Sequence, residues 1–177
     1  MQATKLDRRA TRTREACLGA FVELLLTRGY EEISVSDVIL AANIGRSTFY
    51  DHYTGKEDLL RACLGVPFAV LSASVLPGAD RAALAHTTAH FLDQRRVVRA
   101  LLTGQTRAIL VRGLAEMIAP HLPALTLPTD LAAAQLAEGQ LGLLHHWLTG
   151  RDAVKPEQIA DALIATTRAS IDAIRSL

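Results

Sequence analysis

A short stretch of the chain begins with three hydrogen-bonding side chains in succession, Arg46, Ser47 and Thr48. The aromatic residues Phe49 and Tyr53 lie four positions apart, so in a helix they share one face and are expected to point inward. Arginine presents two parallel donors that match guanine, and hydroxyl groups bond to base edges or to phosphate oxygens. The polar residues at the start of this helix therefore have the chemistry of a surface that contacts nucleic acid.

A helix and a tight turn are predicted immediately before these residues. Ser34 is a good N-cap, and Asp37 three residues later completes a shortened capping box. Asn43 suits the left-handed conformation of a tight turn, and Gly45 is placed to cap the next helix. The helix that begins after Ser34 has an apolar face made of Val35, Val38, Ile39 and Ala42. Two helices joined in this way predict a helix-turn-helix, whose second helix reads bases in the major groove.

The run NIGRSTFYDHYTGKEDLL resembles the signature of the TetR/AcrR family of one-component transcriptional regulators. In that family a turn, a short recognition helix with an aromatic pair near its end, and a Lys-Glu-Asp/Ala-Leu entry to a fourth helix recur in order. The resemblance covers roughly residues 12–60. Asn43 stands where the family commonly has glycine, and Gly45 stands where a serine often caps the recognition helix.

The resemblance also implies roles for individual residues. Base-edge or groove contacts are expected from the start and middle of the recognition helix: Arg46, Ser47, Thr48 and Tyr50. Phosphate contacts, which fix register without specifying sequence, are expected from five polar or basic residues: Ser34, Ser36, Tyr50, His52 and Lys56. Asp51 is expected to point away, because phosphates repel a carboxylate.

The beginning of the chain is basic, although the whole chain has a net charge of only +1. Clustered charge can follow phosphates even when the chain is nearly neutral. A solvated, partly disordered tail is the alternative interpretation. Beside a helix-turn-helix we favour phosphate contact, and the basic residues concerned are Lys5, Arg8, Arg9, Arg12 and Arg14.

Half of the 177 residues are hydrophobic, and no stretch alternates as a strand would. The predicted class is all-α, with an N-terminal three-helix helix-turn-helix DNA-binding domain (residues 1–64) and a C-terminal helical ligand-binding and dimerisation domain (65–177). The first helix is expected at about Arg8–Arg28, and the fourth is expected either to kink or to restart at Pro67. The remaining helices are expected at about 79–94, 95–102, 105–118, 130–149 and 156–176.

The last two predicted helices are apolar on more than one side, and such a helix needs two partners. One partner is its own core, and the second is predicted to be another copy of the chain; full burial within the monomer is the alternative. The resemblance agrees, because in the family the last two helices form a two-fold four-helix interface. The predicted interface residues are Leu136, Gly139, Leu143, Ile164 and Ile171.

An effector pocket is predicted within residues 65–177, where apolar helices carry a few polar groups. Its predicted lining residues are Phe68, Leu71, His86, His90, Phe91, Arg107, Leu110, Met117, His121, Gln140, Leu144 and Trp147. His86 and His90 share a helical face at a spacing that can bind zinc. Because two histidines on one face are more often surface or hydrogen-bonded core residues, neither a metal site nor a cofactor is predicted.

Other classes of protein lack support in the sequence. There is no glycine-rich phosphate loop, nucleophile elbow, HExxH or CxxC, so an enzyme is not predicted. No apolar run reaches the roughly 18 residues of a membrane span, and the basic N-terminus has no apolar core after it. We expect a cytoplasmic protein in which Cys17 and Cys63 are reduced core residues.

The predicted function is that of a ligand-responsive repressor, which binds a palindromic operator in double-stranded DNA as a homodimer and is released by a small, largely apolar effector. The alternative is a helix-turn-helix regulator or architectural DNA-binding protein that is controlled by a protein partner or has no ligand. A basic patch across the second part would favour an architectural role, but that part is nearly balanced in charge. The effector, the operator and the sign of regulation stay open at this point.

Overall fold

The computed structural model describes residues 2–150 and 153–177, with side chains from Arg8 onward. Its helices are α1 (Gln2–Thr27), α2 (Val35–Ala41), α3 (Arg46–Tyr50), α4 (Lys56–Ala73), α5 (Arg81–Asp93), α6 (Arg95–Leu101), α7 (Gly104–Ile118), α8 (Thr129–Thr149) and α9 (Pro156–Arg175). Two 3-10 turns are present at Tyr30–Glu32 and Ala119–His121. The described residues contain no strand, which confirms the predicted all-α class.

The first helix is longer than the sequence pattern predicted. It begins at Gln2 rather than near Arg8, so it includes the basic N-terminal segment. Alanine, arginine, lysine and glutamine have high helix propensity, and they are frequent in this segment. Its end agrees with the prediction, because Gly29 has a φ of 82°, a conformation that favours glycine.

Of the two outcomes predicted at Pro67, a restart of the helix is wrong, because α4 continues through this residue to Ala73. A proline inside a helix removes one backbone hydrogen-bond donor and crowds the preceding turn. The residues that follow, Phe68 and Leu71, are 5% and 0% exposed. Burial of these two side chains offsets the lost hydrogen bond and keeps the helix continuous.

The chain divides into two compact units, Met1–Leu64 and Gly65–Leu177. In the first unit, α1 packs on α2, and α2 packs on α3. Phe21 lies at the centre of this core, with its ring centroid 6.3 Å from that of Tyr30 in an edge-to-face arrangement. The remaining buried side chains of the unit include Cys17, Leu25, Ile33, Val38, Phe49, Tyr53, Leu59 and Leu60.

In the second unit, α5 packs on α9, and α7 and α9 pack on α8. Arg81 binds Asp161 through two hydrogen bonds of 2.6 and 2.8 Å, which join α5 to α9. Arg95 donates to the carbonyl oxygens of Leu148 and Gly150 and so satisfies the C-terminal end of α8. The ends of α5 to α9 lie within two residues of the predicted ends. Among the described helices, none is long and apolar enough to cross a membrane.

Candidate functional site

The start of α2 is fixed by the predicted capping box. Ser34 accepts a hydrogen bond from the backbone N–H of Asp37 at 3.2 Å, and its own N–H donates to the Asp37 carboxylate at 2.8 Å. Arg28 adds an ion pair to the same carboxylate at 3.1 Å. Hydrogen bonds from Ser34 and then Arg28 stabilise the ionised form, so the pKa of Asp37 falls to about 2.

This arrangement bears on the predicted phosphate contact of Ser34. The hydroxyl of Ser34 donates to the Asp37 carboxylate at 2.5 Å, so its one donor is already in use. A hydrogen bond to phosphate requires the hydroxyl to leave the capping box. Ser36 is exposed in the first turn of α2 and has no such constraint.

The turn between α2 and α3 has the predicted geometry. Asn43 adopts a φ of 51°, which is the left-handed conformation. Among the non-glycine residues whose backbone the structure describes, no other has a positive φ. Gly45 precedes α3 with an extended backbone and caps it through main-chain atoms, without a side-chain bond. The backbone N–H of Phe49 bonds to the carbonyl oxygen of Gly45 at 3.0 Å and closes the first turn of α3.

The two faces of α3 differ as the sequence predicted. Phe49 and Tyr53 are 0% and 5% exposed, with ring centroids 5.6 Å apart. Arg46 and Ser47 are exposed on the other side, and Tyr50 is 47% exposed. Thr48 is half-buried, and His52, just beyond α3, is half-buried as well.

Arg46 and Tyr50 contact each other on the exposed face of α3. The guanidinium carbon of Arg46 lies 5.6 Å from the centre of the Tyr50 ring. Tyr50 in turn meets the edge of Phe49, with ring centroids 5.3 Å apart. The exposed donor of Arg46 is thus connected through one aromatic ring to the core of the unit.

Lys56 differs from the other predicted phosphate contacts, because its ammonium group already has partners. Its Nζ atom donates to the carbonyl oxygen of Tyr30 at 2.9 Å and lies 4.1 Å from the centre of the Tyr30 ring. Lys56 therefore joins the start of α4 to the turn after α1. A phosphate contact uses only the donors that remain on the ammonium group.

The basic residues at the start of α1 keep their predicted access to solvent. Arg8, Arg9, Arg12 and Arg14 are exposed along the helix. Lys5 lies outside the residues whose side chains the structure describes. The two cysteines are free: Cys17 is buried, and burial raises the pKa of the half-buried Cys63 thiol to about 11.

In the described part of the second unit, the residues that the sequence predicted around an effector pocket are divided between the packed core, the surface and separate clefts. Six of them are packed side chains in the core of the second unit: Phe68, Leu71, Phe91, Leu110, Gln140 and Leu144. Arg107 is half-buried and pairs with Glu138 at 2.5 Å, and the half-buried Trp147 donates from its indole nitrogen to the carbonyl oxygen of Val154. Met117 is half-buried in α7.

His86, His90 and His121 are exposed. The helix α5 turns Leu84, Thr87, Thr88 and Phe91 toward the core, which places His86 and His90 on its other side. The prediction that these two histidines line a pocket stays a prediction, and their exposure places them outside the packed core of the chain. His121 does line an open cleft, which is described below.

Gln140 belongs to a small polar cluster inside the second unit. Its Nε2 atom donates to Ser74 at 2.9 Å and to Thr167 at 3.3 Å. All three residues are buried, and Oε1 of Gln140 has no hydrogen-bond partner in the described part of the chain. An unpaired buried carbonyl costs about 1–3 kcal/mol. Sequence reasoning missed Ser74 and Thr167, because the three residues come from separate segments and share no spacing.

The predicted interface residues are divided between the core and a groove. Leu136 and Ile171 are 3% and 6% exposed within the chain itself, and Ile164 is half-buried. A groove of about 270 Å³ between α8 and α9 is lined in part by Leu136, Gly139 and Leu143. Sequence reasoning missed the α9 side of this groove, which consists of Thr166, Thr167 and Ser170.

A short helix held from behind by aromatic rings, with an arginine and a hydroxyl group facing out, defines the first unit as a helix-turn-helix of the DNA-binding type. The sequence profile described as "Bacterial regulatory proteins, tetR family" matches residues 18–63. The TetR transcriptional regulator from Streptococcus agalactiae 2603V has a TM-score of 0.59 and 29% identity, over 93% of this chain and 98% of that chain. These matches identify residues 18–63 as a domain of the TetR family and support a TetR-family transcriptional regulator.

Two curated relatives are similar to about a third of the chain or less. One is the uncharacterized HTH-type transcriptional regulator YxbF of Bacillus subtilis (strain 168), 46% identical over 61 residues, which are 34% of this chain and 16% of that protein. The other is the HTH-type dhaKLM operon transcriptional activator DhaS of Lactococcus lactis subsp. lactis, 40% identical over 48 residues, 27% of this chain and 26% of that protein. The match thus spans only about a sixth to a quarter of these relatives' length.

Proposed function

We propose that this chain is a repressor that binds a palindromic operator in double-stranded DNA as a homodimer and is released by a small effector. The observation that carries the proposal is the exposed face of α3. Arg46, Ser47 and Tyr50 stand together there, while Phe49 and Tyr53 fix the helix in the core. A helix held in this way presents its donors to a groove with little loss of side-chain freedom.

The proposed DNA contacts are of two kinds, those to base edges and those to the phosphate backbone. Arg46 suits guanine, whose two major-groove acceptors match its two donors. Ser47 and Tyr50 complete the groove surface. Ser36 and the arginines of α1 suit phosphates, which fix the register of the helix and make affinity depend on salt. Ser34 and Lys56 serve the fold rather than phosphates in this proposal, because their donors are engaged within the protein.

A homodimer is supported by the surface of α8 and α9 around their common groove. The groove side of α8 carries Gly139, where an added Cβ atom meets nothing within 4 Å. The groove side of α9 carries the short side chains Thr166 and Ser170. Small residues on both helices permit the close approach of two further helices from a second copy. A two-fold axis through this surface makes the interface self-complementary and the operator a palindrome.

Release by an effector requires two states of the protein that bind the effector with different affinity. The predicted apolar lining residues are packed core in this structure, so a ligand must either open that core or occupy an existing cleft. The sign of regulation is part of the proposal, since the relative DhaS is named an activator. A reporter gene downstream of the selected operator distinguishes the two signs.

The experiment is selection of bound sequences from a random pool of duplex DNA by the full chain. We expect an enriched palindrome whose half-sites lie about one helical turn, roughly 34 Å, or a multiple of it apart. Light scattering of the protein with and without this duplex gives the number of chains bound. A monomer that enriches no sequence contradicts the proposal. A dimer that binds all duplexes equally supports an architectural protein instead.

A further inference from the structure

A cleft of about 510 Å³ lies within the second unit, between the segment that follows α4, the segment before α8 and one side of α9. Val75, Leu122 and Ile171 form its apolar part. Pro77 and Pro123 also line it, and they offer no backbone N–H groups. Small-molecule sites typically have volumes of about 300–1,000 Å³ and a mainly apolar wall with a few polar groups. The cleft has both properties.

Two exposed arginines, Arg168 and Arg175, border the cleft from α9. They lie seven positions apart, close to two full turns, so their guanidinium groups project from the same side of the helix. Asp172 lies between them and also lines the cleft, as does His121. In the part of the chain that the structure describes, neither arginine has a salt bridge. Two cations beside one anion attract a negatively charged ligand.

The two arginines do not have the same structural explanation. Arg175 lies in the last turn of α9, where a cation is favoured by the helix dipole. Arg168 lies nearly two turns earlier, where that effect has faded. Asp172 is at the spacing for an ion pair with Arg168 and does not form one. Stabilisation of α9 therefore accounts for Arg175 but not for Arg168. The position of Arg168 beside an apolar cleft needs another explanation.

We propose that this cleft binds a small amphipathic carboxylate. Its carboxylate accepts hydrogen bonds from Arg168 and Arg175, because a guanidinium group offers paired donors that match two carboxylate oxygens. Its apolar chain covers Val75, Leu122 and Ile171 and removes their remaining surface from water. Binding itself is independent of DNA, whereas the role of this ligand as the effector rests on the proposed function.

The cleft also stays open in the proposed dimer. Thr166 lines the groove between α8 and α9, and Arg168 lines the cleft. Two residues along a helix are about 200° apart around its axis. The dimer surface and the carboxylate site therefore use different flanks of α9.

The test is binding of octanoate to the full chain, measured by calorimetry and by the shift in melting temperature. Octan-1-ol and octyltrimethylammonium are the neutral and cationic controls with the same apolar chain. We expect octanoate to bind about tenfold or more tightly than either control, because each tenfold corresponds to about 1.4 kcal/mol, within the range of a charge-assisted hydrogen bond. Equal binding of all three compounds overturns the proposal and indicates general detergent-like adsorption.

Three variants locate the site. The double variant Arg168→Gln/Arg175→Gln is expected to weaken octanoate binding about tenfold or more. The matched control Arg96→Gln/Arg99→Gln removes two exposed arginines from another groove of the same unit and is expected to leave binding unchanged. Asp172→Asn removes a repulsive charge and is expected to strengthen binding, a gain that loss of folding cannot produce. Unchanged affinity in the first variant, or equal loss in the control, overturns the site.

Operator binding without octanoate is measured separately on the selected duplex. If octanoate binds and no operator is found, the carboxylate site stands and the proposed function fails. If the operator is bound and octanoate does not bind, the site fails and the regulator stands. If both bind and octanoate leaves operator affinity unchanged, the carboxylate is a ligand of the cleft and is rejected as the effector.

Discussion

The guanidinium group of Arg46 lies over the ring of Tyr50, one helical turn away, at 5.6 Å from the ring centre. This distance is within the range of a cation–π contact, which contributes about 0.5–1 kcal/mol at an exposed site. The same ring packs nearly perpendicular to that of Phe49, which is fully buried. The arginine that is proposed to read a base is thus held over a ring that the protein core positions.

Arg46→Ala is expected to weaken binding to the selected operator by about 1–3 kcal/mol and to relax preference at one base pair. The physical reason is the loss of two parallel donors to guanine. Fluorescence anisotropy with operators altered at each position measures both effects, and Arg99→Ala in the second unit is the control. A uniform loss on every duplex, including unrelated DNA, contradicts base reading and identifies Arg46 as a phosphate contact.

Lys56→Met tests whether this lysine serves the fold or the DNA. Its ammonium group bonds to the carbonyl oxygen of Tyr30 and lies over the Tyr30 ring. We expect a loss of about 1 kcal/mol in the free energy of unfolding, measured in urea, since the group is partly buried. We also expect an unchanged salt dependence of binding to a nonspecific duplex.

The opposite pair of results contradicts this assignment of Lys56. A lysine that neutralises one phosphate changes the slope of log affinity against log salt by about 0.9 when it is removed. A reduced slope with unchanged stability therefore makes Lys56 a phosphate contact. Lys155→Met, at an exposed position in the second unit, controls for the general loss of a positive charge.

The Asp37 carboxylate predicts a defined dependence of stability on pH. Its pKa is lowered to about 2 in the folded chain by hydrogen bonds from Ser34 and Arg28. An aspartate in the unfolded chain has a pKa of about 3.9. Because the folded pKa is the lower one, the stabilisation is fully present above about pH 4 and is lost as pH falls toward 2.

The measurement is the free energy of unfolding of wild type and Asp37→Asn between about pH 6 and pH 2. The difference between the two proteins is expected to be largest at the upper end and to shrink through the acid range. Asp51→Asn, an exposed position at the end of α3, is the control on the same segment. A difference that stays constant across this range removes Asp37 as the source of the pH dependence.

The helix-turn-helix was predictable because each of its determinants is local. The capping box spans four residues, Asn43 needs only its own left-handed backbone, and Phe49 and Tyr53 are one turn apart. The exposed and buried faces of α3 follow directly from this spacing. The engagement of Lys56 was not predictable, because its partner Tyr30 is 26 residues away in the sequence.

The second unit was predictable in its helices and much less in its sites. The inward face of α5 was not evident, since alanine and threonine occur around the helix and no strong apolar stripe marks one side. The sequence therefore placed His86 and His90 inward, whereas packing against α9 turns Leu84 and Phe91 inward. Pairs such as Arg81 and Asp161, 80 residues apart, accompany this packing and leave no trace in local spacing.

Gly139→Arg is expected to separate the proposed dimer without unfolding the protomer. Gly139 is exposed on α8 with space around an added Cβ atom, and replacement of a mid-helix glycine favours the helix by up to about 1 kcal/mol. The new side chain fills the groove that the second copy is proposed to cover and places two like charges near the two-fold axis. Light scattering gives the mass of the particle, and circular dichroism gives its helix content.

Gly19→Arg, at an exposed helical glycine in α1 with equal space, is the matched control and is expected to keep the wild-type mass. A dimer of unchanged mass in Gly139→Arg rules out this surface as the interface, and operator affinity that falls together with the loss of the dimer links the surface to DNA binding.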